Sequence, residues 1–157
     1  MGKRRAGSVS ATEEFLEGDP VTPESVERLR AHIRALFAPH APSEPGLELF
    51  GVAATVTTFA AMAWKLEAAD SGQLQGRVLT LEVLEPLLQE LIAQPVARRS
   101  DRVGLDPKRA DVIVAGGLLL EAGLEVCGVD RLTVSSHGLR FGLLLESFPE
   151  LAFQQDP

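Results

Sequence analysis

The chain is poor in cysteine and in aromatic side chains. Its 157 residues include one cysteine, one tryptophan and no tyrosine. The single cysteine, Cys127, excludes an internal disulfide and a zinc site built from several thiolates. Because Cys127 ends an apolar run, we interpret it as a small buried hydrophobe.

Long apolar runs and an excess of basic charge are also missing. Apolar stretches such as residues 115–120 are too short to span a bilayer. The basic residues 1–5 are followed by a polar stretch, where a signal peptide would carry its apolar segment. The net charge of −7 argues against a general nucleic-acid binder. We therefore expect a cytoplasmic protein whose partners include no membrane and no nucleic acid.

The remaining composition is that of a globular domain. Hydrophobic residues make up 45% of the chain and charged residues 24%, which are ordinary values for a folded protein. The length is typical of one domain, and the sequence has neither an internal repeat nor a low-complexity tract. We expect residues 1–150 to form a single domain and residues 151–157 to form a loose tail.

Turn residues and hydrophobic periodicity divide the chain into alternating strands and helices. Thr22 and Pro23 mark the start of one helix, since threonine can cap and proline suits the first helical position. Asp106 and Pro107 mark another helix start in the same way. This order of elements predicts an α/β fold with parallel strand pairing. The predicted strands are residues 8–16, 47–52 and 131–135; the other predicted helices are residues 56–69, 81–94, 112–126 and 139–146, and residues 98–102 are predicted to be a charged connector.

The helix predicted over residues 112–126 is apolar nearly all round, so we expect it to be central and buried. It contains Gly116, Gly117 and Gly123, and each glycine costs about 1 kcal/mol relative to alanine in a helix interior. These glycines indicate either close backbone packing or a nearby ligand.

Several segments, taken together, resemble one protein family. Residues 47–62 read LELFGVAATVTTFAAM, residues 105–117 read LDPKRADVIVAGG, and residues 132–146 read LTVSSHGLRFGLLLE. Residues 12–20, TEEFLEGDP, also match, and Gln75 precedes a glycine where the family often has histidine. In this order and spacing, the segments resemble the exopolyphosphatase / guanosine-pentaphosphate phosphohydrolase (Ppx/GppA) family over nearly the whole chain.

The resemblance implies a partial ribonuclease-H-like domain of the actin / sugar-kinase / Hsp70 superfamily, with a short, mostly parallel sheet and helices on both faces. It implies hydrolysis of the terminal phosphate of polyphosphate or guanosine pentaphosphate, with Mg²⁺ as the family's cofactor. The matched segments resemble only the second half of the catalytic module. The first domain's phosphate loop and catalytic carboxylate have no counterpart here, so we assign this chain no catalytic residue, no metal ligand and no cofactor of its own.

The candidate phosphate-binding residues lie within the matched segments. A strand, a tight turn and a helix follow one another around Thr55, which is the order in which a helix N-terminus can face an anion. Arginine suits phosphate because its guanidinium carries a fork of donors. Three candidates have a structural alternative: packing or back-bonding in the helix for Thr57, close helix packing for Gly116, and ion pairing with Asp111 or Glu146 for Arg140. The candidates are Ala53, Ala54, Thr55, Thr57, Gly116 and Arg140.

Two departures lie inside these motifs. Ala53 and Ala54 stand where the family has two glycines, which can reach positive φ and let phosphate approach the backbone. Phe141 stands where the family has glutamate. His137 lies in a Ser-Ser-His-Gly turn, and we interpret it as a turn histidine rather than a catalytic one, because neighbours in sequence rarely form a catalytic pair.

The sequence therefore supports more than one hypothesis of function. The chain is half of a phosphohydrolase, inactive without a complementary first half, or a degenerate non-catalytic domain that binds phosphate, nucleotide or protein. A purely structural role is a third hypothesis. In the family a hairpin precedes this segment, so its absence predicts an exposed sheet edge and a partly exposed sheet face. A complementary first-half domain or a second copy of the chain would cover them.

Overall fold

The computed structural model describes residues 7–44, 46–67 and 71–148. Within these ranges the α/β class is confirmed, because the chain combines helices with a small sheet. The predicted tail at residues 151–157 lies outside the described residues. None of the described helices has both the length and the apolar character needed to cross a bilayer. The elements are α1 (Ser8–Phe15), α2 (Pro23–Phe37), β1 (Phe50–Gly51), α3 (Ala54–Trp64), β2 (Val78–Thr80), α4 (Leu81–Ala93), α5 (Val96–Ser100), α6 (Ile113–Cys127), β3 (Arg131–Val134) and α7 (Leu139–Ser147).

The strand predicted over residues 8–16 was wrong, because Ser8–Phe15 form helix α1. Ala11 is buried in the core shared with α2 and α6. The Thr12 hydroxyl donates to the Ser8 carbonyl at 2.8 Å, and the Ser10 hydroxyl donates to the Gly7 carbonyl at 3.1 Å. Tertiary packing and these local bonds override the weak helix preference of serine, threonine and valine.

Helix α2 begins where the sequence predicts. The Thr22 side chain accepts a hydrogen bond from the Ser25 backbone N–H at 3.3 Å, and Pro23 occupies the first turn. Arg30 crosses to α6, where its guanidinium pairs with Glu121 at 3.1 Å. Burial raises the pKa of Glu121, although the pairing with Arg30 acts in the opposite direction. The α2–α6 contact thus contains a half-buried ion pair beside the hydrophobic core.

Helix α6 is the central helix, as predicted, and runs one residue later than expected at each end. A Cβ on Gly117 would lie 2.6 Å from the Phe59 ring and 2.7 Å from a Leu88 methyl, so this glycine lets α3 and α4 approach α6 closely. At Gly123, by contrast, no described heavy atom lies within 4 Å of the added Cβ. Close packing therefore explains Gly117 but not Gly123.

The sheet has the strand order β1-β3-β2 and is mixed. Strands β1 and β3 are parallel, as predicted, with Phe50 opposite Thr133. Strand β2 was not predicted; it pairs antiparallel with β3 and places Val78 opposite the same Thr133. Leu132 and Val134 point to the opposite face and are buried against the helices. Three residues are too few to show the alternation by which strands are recognised in sequence.

Strand β1 is shorter and less buried than the predicted strand at residues 47–52. Only Gly51 of its two residues is buried, whereas Phe50 is 63% exposed. A Cβ on Gly51 would lie 2.8 Å from Leu132 and from Val56, so α3 packs directly on the strand at this point.

The predicted charged connector is also corrected, because residues 96–100 form helix α5 and Arg99 is buried. The Arg99 Nε donates to the Leu91 carbonyl at 2.7 Å, and its Nη1 donates to the Ala110 carbonyl at 3.3 Å. Burial lowers the pKa of Arg99, and the charge of Asp19 partly offsets this effect. Arg99 thus ties the end of α4 to the turn that leads into α6.

Two further helix boundaries differ from the prediction. Helix α3 ends at Trp64 because Lys65 adopts a left-handed conformation, with φ 53°; residues 68 and 69 of the longer predicted helix lie outside the described residues. The Asp106 side chain caps as predicted, accepting from the Lys108 backbone N–H at 3.0 Å, but it starts a 3₁₀ turn. The long helix begins only at Ile113.

Candidate functional site

Two strand-to-helix turns lie side by side at one edge of the sheet. Because β1 and β3 are parallel neighbours, their carboxyl ends meet at the same edge. The chain passes from β1 through residues 52–53 into α3, and from β3 through residues 135–138 into α7. The Ser135 backbone N–H donates to the Gly51 carbonyl at 2.8 Å and links the two turns. We call residues 52–55 and 135–140 the carboxyl edge; in α/β sheets, ligands bind at such edges.

Ala53 holds the head of α3 in a conformation that normally belongs to glycine. Its backbone has φ 73° and ψ 173°, a region that alanine enters only at a cost. Ala53 is exposed, and no described side chain caps the first turn of α3. Ala53 thus carries a positive φ that glycine adopts without this cost.

We predict that Ala53→Gly will stabilise the fold by about 1–2 kcal/mol, because it removes this backbone strain. Ala54→Gly is the matched control, since Ala54 lies in the helix and its replacement should cost up to about 1 kcal/mol. Urea unfolding followed by circular dichroism measures both. Equal destabilisation by the two substitutions would contradict the argument.

Gly116 lies where the starts of three helices meet. It is the fourth residue of α6, and a Cβ added there would lie 2.9 Å from the Thr55 methyl and 3.0 Å from the Thr55 hydroxyl. The Ser8 Cβ, at the start of α1, would lie 3.6 Å away. Of the two readings of Gly116, the structure supports close packing, because the Thr55 side chain lies against α6.

Gly116→Ala will lower the free energy of unfolding by about 1–3 kcal/mol, because the new methyl group overlaps Thr55. Thr55→Ala makes room for it, so the double variant should lose less than the sum of the two single variants. A double-mutant cycle from urea unfolding gives the coupling. Strict additivity would show that the predicted overlap does not determine the stability.

The candidates Thr57 and Arg140 differ in their side-chain interactions. The Thr57 hydroxyl donates back to the Ala53 carbonyl at 3.4 Å and to the Ala54 carbonyl at 3.3 Å, which is the back-bonding alternative. Arg140 is the second residue of α7 and is exposed. Across the described ranges it forms no ion pair, so the alternative pairing with Asp111 or Glu146 is not found.

His137 is fixed by stacking rather than by a catalytic partner. Its ring lies 3.9 Å from the Phe141 ring, centroid to centroid, at an interplanar angle of 12°. The His137 backbone N–H donates to the Ser135 hydroxyl oxygen at 3.2 Å. Phe141, which replaces the family's glutamate, thus supports the imidazole of a turn histidine.

Gln75 is a structural element of the edge to which the sequence analysis gave no role. Its Oε1 accepts from the Ser136 backbone N–H at 2.8 Å and from the Ser136 hydroxyl at 2.9 Å. The neighbouring Gly76 N–H donates to the Val134 carbonyl at 2.9 Å. The only sequence signal was its position, where the family often carries histidine.

The described residues of this chain do not fit a magnesium site. Among the described residues, no three histidine, cysteine, aspartate or glutamate side chains gather where they could hold a metal ion. The carboxyl edge itself contains no aspartate or glutamate. An open groove of about 400 Å³ is lined by Glu67 and residues 100–107, and none of the candidate residues borders it.

Comparison with known proteins identifies the relatives of the chain. Residues 3–151 match the Ppx/GppA phosphatase family. Exopolyphosphatase 2 of Mycobacterium tuberculosis is 34% identical in an alignment of 148 residues that covers 88% of this chain and 46% of the relative. Exopolyphosphatase 1 of Mycobacterium leprae is 29% identical over 143 residues, and the match covers 42% of that relative. The chain thus spans less than half the length of these relatives.

Solved structures agree with the sequence comparison. The crystal structure of the Ppx/GppA phosphatase of Aquifex aeolicus, type II variant, superimposes with a TM-score of 0.86 at 30% identity. The match covers 91% of this chain and 47% of that structure. An exopolyphosphatase-like protein gives a TM-score of 0.81 at 25% identity, with 48% of its chain covered. The fold is therefore the ribonuclease-H-like fold of the actin-like superfamily, and the chain belongs to the Ppx/GppA phosphatase family.

Proposed function

We propose that this chain is the second half of a phosphohydrolase that removes the terminal phosphate of polyphosphate or guanosine pentaphosphate. The carboxyl edge would form one wall of its cleft. The observation that carries the proposal is the pair of adjacent helix starts, α3 and α7, for neither of which a described side chain supplies a cap. Free N–H groups and the helix dipole favour a bound anion there. Arg140 adds an exposed cation at the start of α7, and it forms no ion pair with any described residue.

The same edge supports an incomplete catalytic apparatus. Phosphoanhydride hydrolysis needs a positioned water, a base that orients it, and positive groups for the developing charge. Backbone N–H groups and Arg140 can supply part of the positive charge. The edge offers no carboxylate as a base, and the imidazole of His137 is stacked on Phe141. We therefore infer that the base and any magnesium ligands lie on the complementary half, and that this chain alone is inactive.

The test is phosphate release from polyphosphate in the presence of magnesium. The purified chain is assayed alone and together with the part of Mycobacterium tuberculosis exopolyphosphatase 2 that it does not match. We expect no release above background from the chain alone and release from the two parts together. Turnover by the chain alone would overturn the proposal that it lacks the base.

A second candidate function is a non-catalytic domain that binds phosphate, a nucleotide or a protein. Two features favour this binding function. The methyl group of Ala53 lies at the N-terminus of α3, and Phe141 occupies the position at which the resemblance implies a glutamate. Calorimetric titration with tripolyphosphate separates the two candidates when it is combined with the release assay. Saturable binding without release, in the chain alone and in the assembled halves, would favour the binding domain.

A further inference from the structure

The turn from β3 to α7 is held by a different contact at each of its first three residues. The Ser135 N–H donates to the Gly51 carbonyl at 2.8 Å, which ties the turn to β1. The His137 N–H donates to the Ser135 hydroxyl oxygen at 3.2 Å. Between them, the N–H and the hydroxyl of Ser136 both donate to Gln75, and neither donates to any other described residue. Gln75 is therefore the support of the middle of this turn.

The backbone that carries Gln75 is itself fixed on both sides. Leu74 precedes it and is only 2% exposed. The Gly76 N–H donates to the Val134 carbonyl at 2.9 Å, and the Val134 N–H donates to the Arg77 carbonyl at 2.7 Å. A side chain can orient another group only if its own backbone stays in place. The Oε1 of Gln75 meets this condition, because it extends from a segment bound to β3.

The position of Ser136 determines how α7 begins. Gly138 is the N-cap of this helix, and no described side chain caps it. Only His137 separates Ser136 from Gly138. A shift of Ser136 therefore changes the direction in which the first N–H groups of α7 and the side chain of Arg140 point.

We propose that Gln75 is a positioning residue of the carboxyl edge. By holding Ser136, its Oε1 keeps the first turn of α7 and Arg140 in the orientation that binds the oxygens of a phosphate group. The inference rests on the proposed function, because it concerns the same edge and the same ligand. Without Gln75 the turn adopts several orientations, and the apparent affinity for phosphate falls with the fraction of molecules in the binding orientation.

The first test is titration of the ¹⁵N-labelled chain with tripolyphosphate, with and without Gln75→Ala. Gln75 is exposed, so the variant should fold. We expect roughly fivefold weaker binding, because the two hydrogen bonds to Ser136 are lost. The changes in chemical shift should decrease more at the amide of Arg140 than at the amide of Thr55, which lies in α3. Equal affinity of the variant and the unaltered chain would overturn the proposal.

Gln73→Ala is the matched control. Gln73 is also exposed and lies two residues earlier on the same segment. Its side chain forms no hydrogen bond with any described residue, and its carbonyl, which accepts from the Arg77 Nε at 2.8 Å, is retained in alanine. We expect unchanged affinity for tripolyphosphate. A loss as large as that of Gln75→Ala would show that the bonds to Ser136 do not cause the effect.

Gln75→His separates hydrogen bonding from the filling of space. A neutral imidazole nitrogen can accept from the Ser136 N–H, whereas a protonated imidazole can only donate. Heteronuclear ¹⁵N NOEs of the amides of residues 136–140 measure the order of the turn without phosphate. Because the ordinary pKa of histidine is about 6.5, they are recorded at about pH 7.5 and about pH 5.5.

The expected order of the turn differs among the three chains. We expect an ordered turn at both pH values in the unaltered chain, at neither in Gln75→Ala, and only at the higher pH in Gln75→His. The unaltered chain carries His137, Arg77 and Arg140 as well, so it reports how pH acts on these groups. An ordered turn in Gln75→Ala, or the same order at both pH values in Gln75→His, would overturn the positioning role.

Failure of this inference differs visibly from failure of the proposed function. If the unaltered chain binds tripolyphosphate and Gln75→Ala binds it equally well, only the role of Gln75 is wrong. If the unaltered chain does not bind tripolyphosphate, the proposed phosphate site is wrong, and the role of Gln75 in binding is overturned with it.

Discussion

Replacing Gly104 by alanine is expected to lower the free energy of unfolding by about 3–5 kcal/mol, because the new methyl group has no space and the backbone becomes strained. The added Cβ would lie 2.5 Å from the carbonyl carbon of Ala61 and from the Met62 nitrogen. These are backbone atoms of α3, which cannot move without displacing the helix. Gly104 also has φ +87°, a conformation that L side chains rarely adopt. Urea unfolding followed by circular dichroism measures the loss.

Gly123→Ala is the matched control for this prediction. Gly123 lies inside α6, where no described atom is within 4 Å of the added Cβ. Because alanine is the better helix former, we expect a gain of about 0.5–1 kcal/mol. A free energy of unfolding of Gly104→Ala within about 1 kcal/mol of the unaltered chain's would contradict the close approach of Gly104 to α3.

Arg99→Ala is expected to cost about 3–5 kcal/mol, through a cavity in the core and the loss of two hydrogen bonds to buried backbone carbonyls. The carbonyls are those of Leu91 and Ala110, and Arg99 itself is only 1% exposed. The Arg99 Nη2 has no hydrogen-bond partner in the described structure, so part of the cost of burying this charge is not offset. Arg99→Lys should destabilise the fold less than Arg99→Ala does, but still measurably, since one ammonium cannot donate to both carbonyls in the planar geometry of the guanidinium.

The control for the arginine is its neighbour on the same helix. Arg98 is exposed, so Arg98→Ala should change the free energy of unfolding by less than about 0.5 kcal/mol. Thermal and urea unfolding of both variants give the comparison. A loss at Arg99 no larger than the loss at Arg98 would show that the buried hydrogen bonds do not hold the α4–α5 corner together.

Elements with strong local signals could be predicted from the sequence. Helix α2 has a capping threonine, a proline in its first turn and an apolar stripe, and α6 is apolar nearly all round. The parallel pairing of β1 with β3 followed from the order of elements. Local chemistry and tertiary packing agree in these segments, so the pattern alone was sufficient.

Other elements depend on contacts that no local pattern carries. The serine- and threonine-containing α1 forms a helix because Ala11 packs in the core against α2 and α6. Arg99 lies within a run of charged residues, and only the fold places the carbonyls of Leu91 and Ala110 around it. Charged residues usually lie on the surface, but the structure places Arg99 in the core.

The placement of the candidate residues in the fold could be predicted in outline, whereas their binding of phosphate stays a prediction. Motif order placed Ala53, Thr55 and Arg140 in strand-to-helix turns, and the parallel pairing brings those turns to one edge. The positive φ of Ala53 could only be anticipated from the family's glycine. The role of Gln75 depends on strand β2, which was itself too short to be recognised.

The carboxyl edge is proposed to bind phosphate, and amide chemical shifts report such binding residue by residue. The chain is labelled with ¹⁵N and titrated with tripolyphosphate to millimolar concentration, with Ala53→Gly as a second sample. We expect the largest changes in chemical shift at the amides of Ala54, Thr55 and Arg140. These changes should be larger in Ala53→Gly, because phosphate can approach the backbone more closely. Shifts confined to other basic surfaces, or no shifts in either sample, would contradict it.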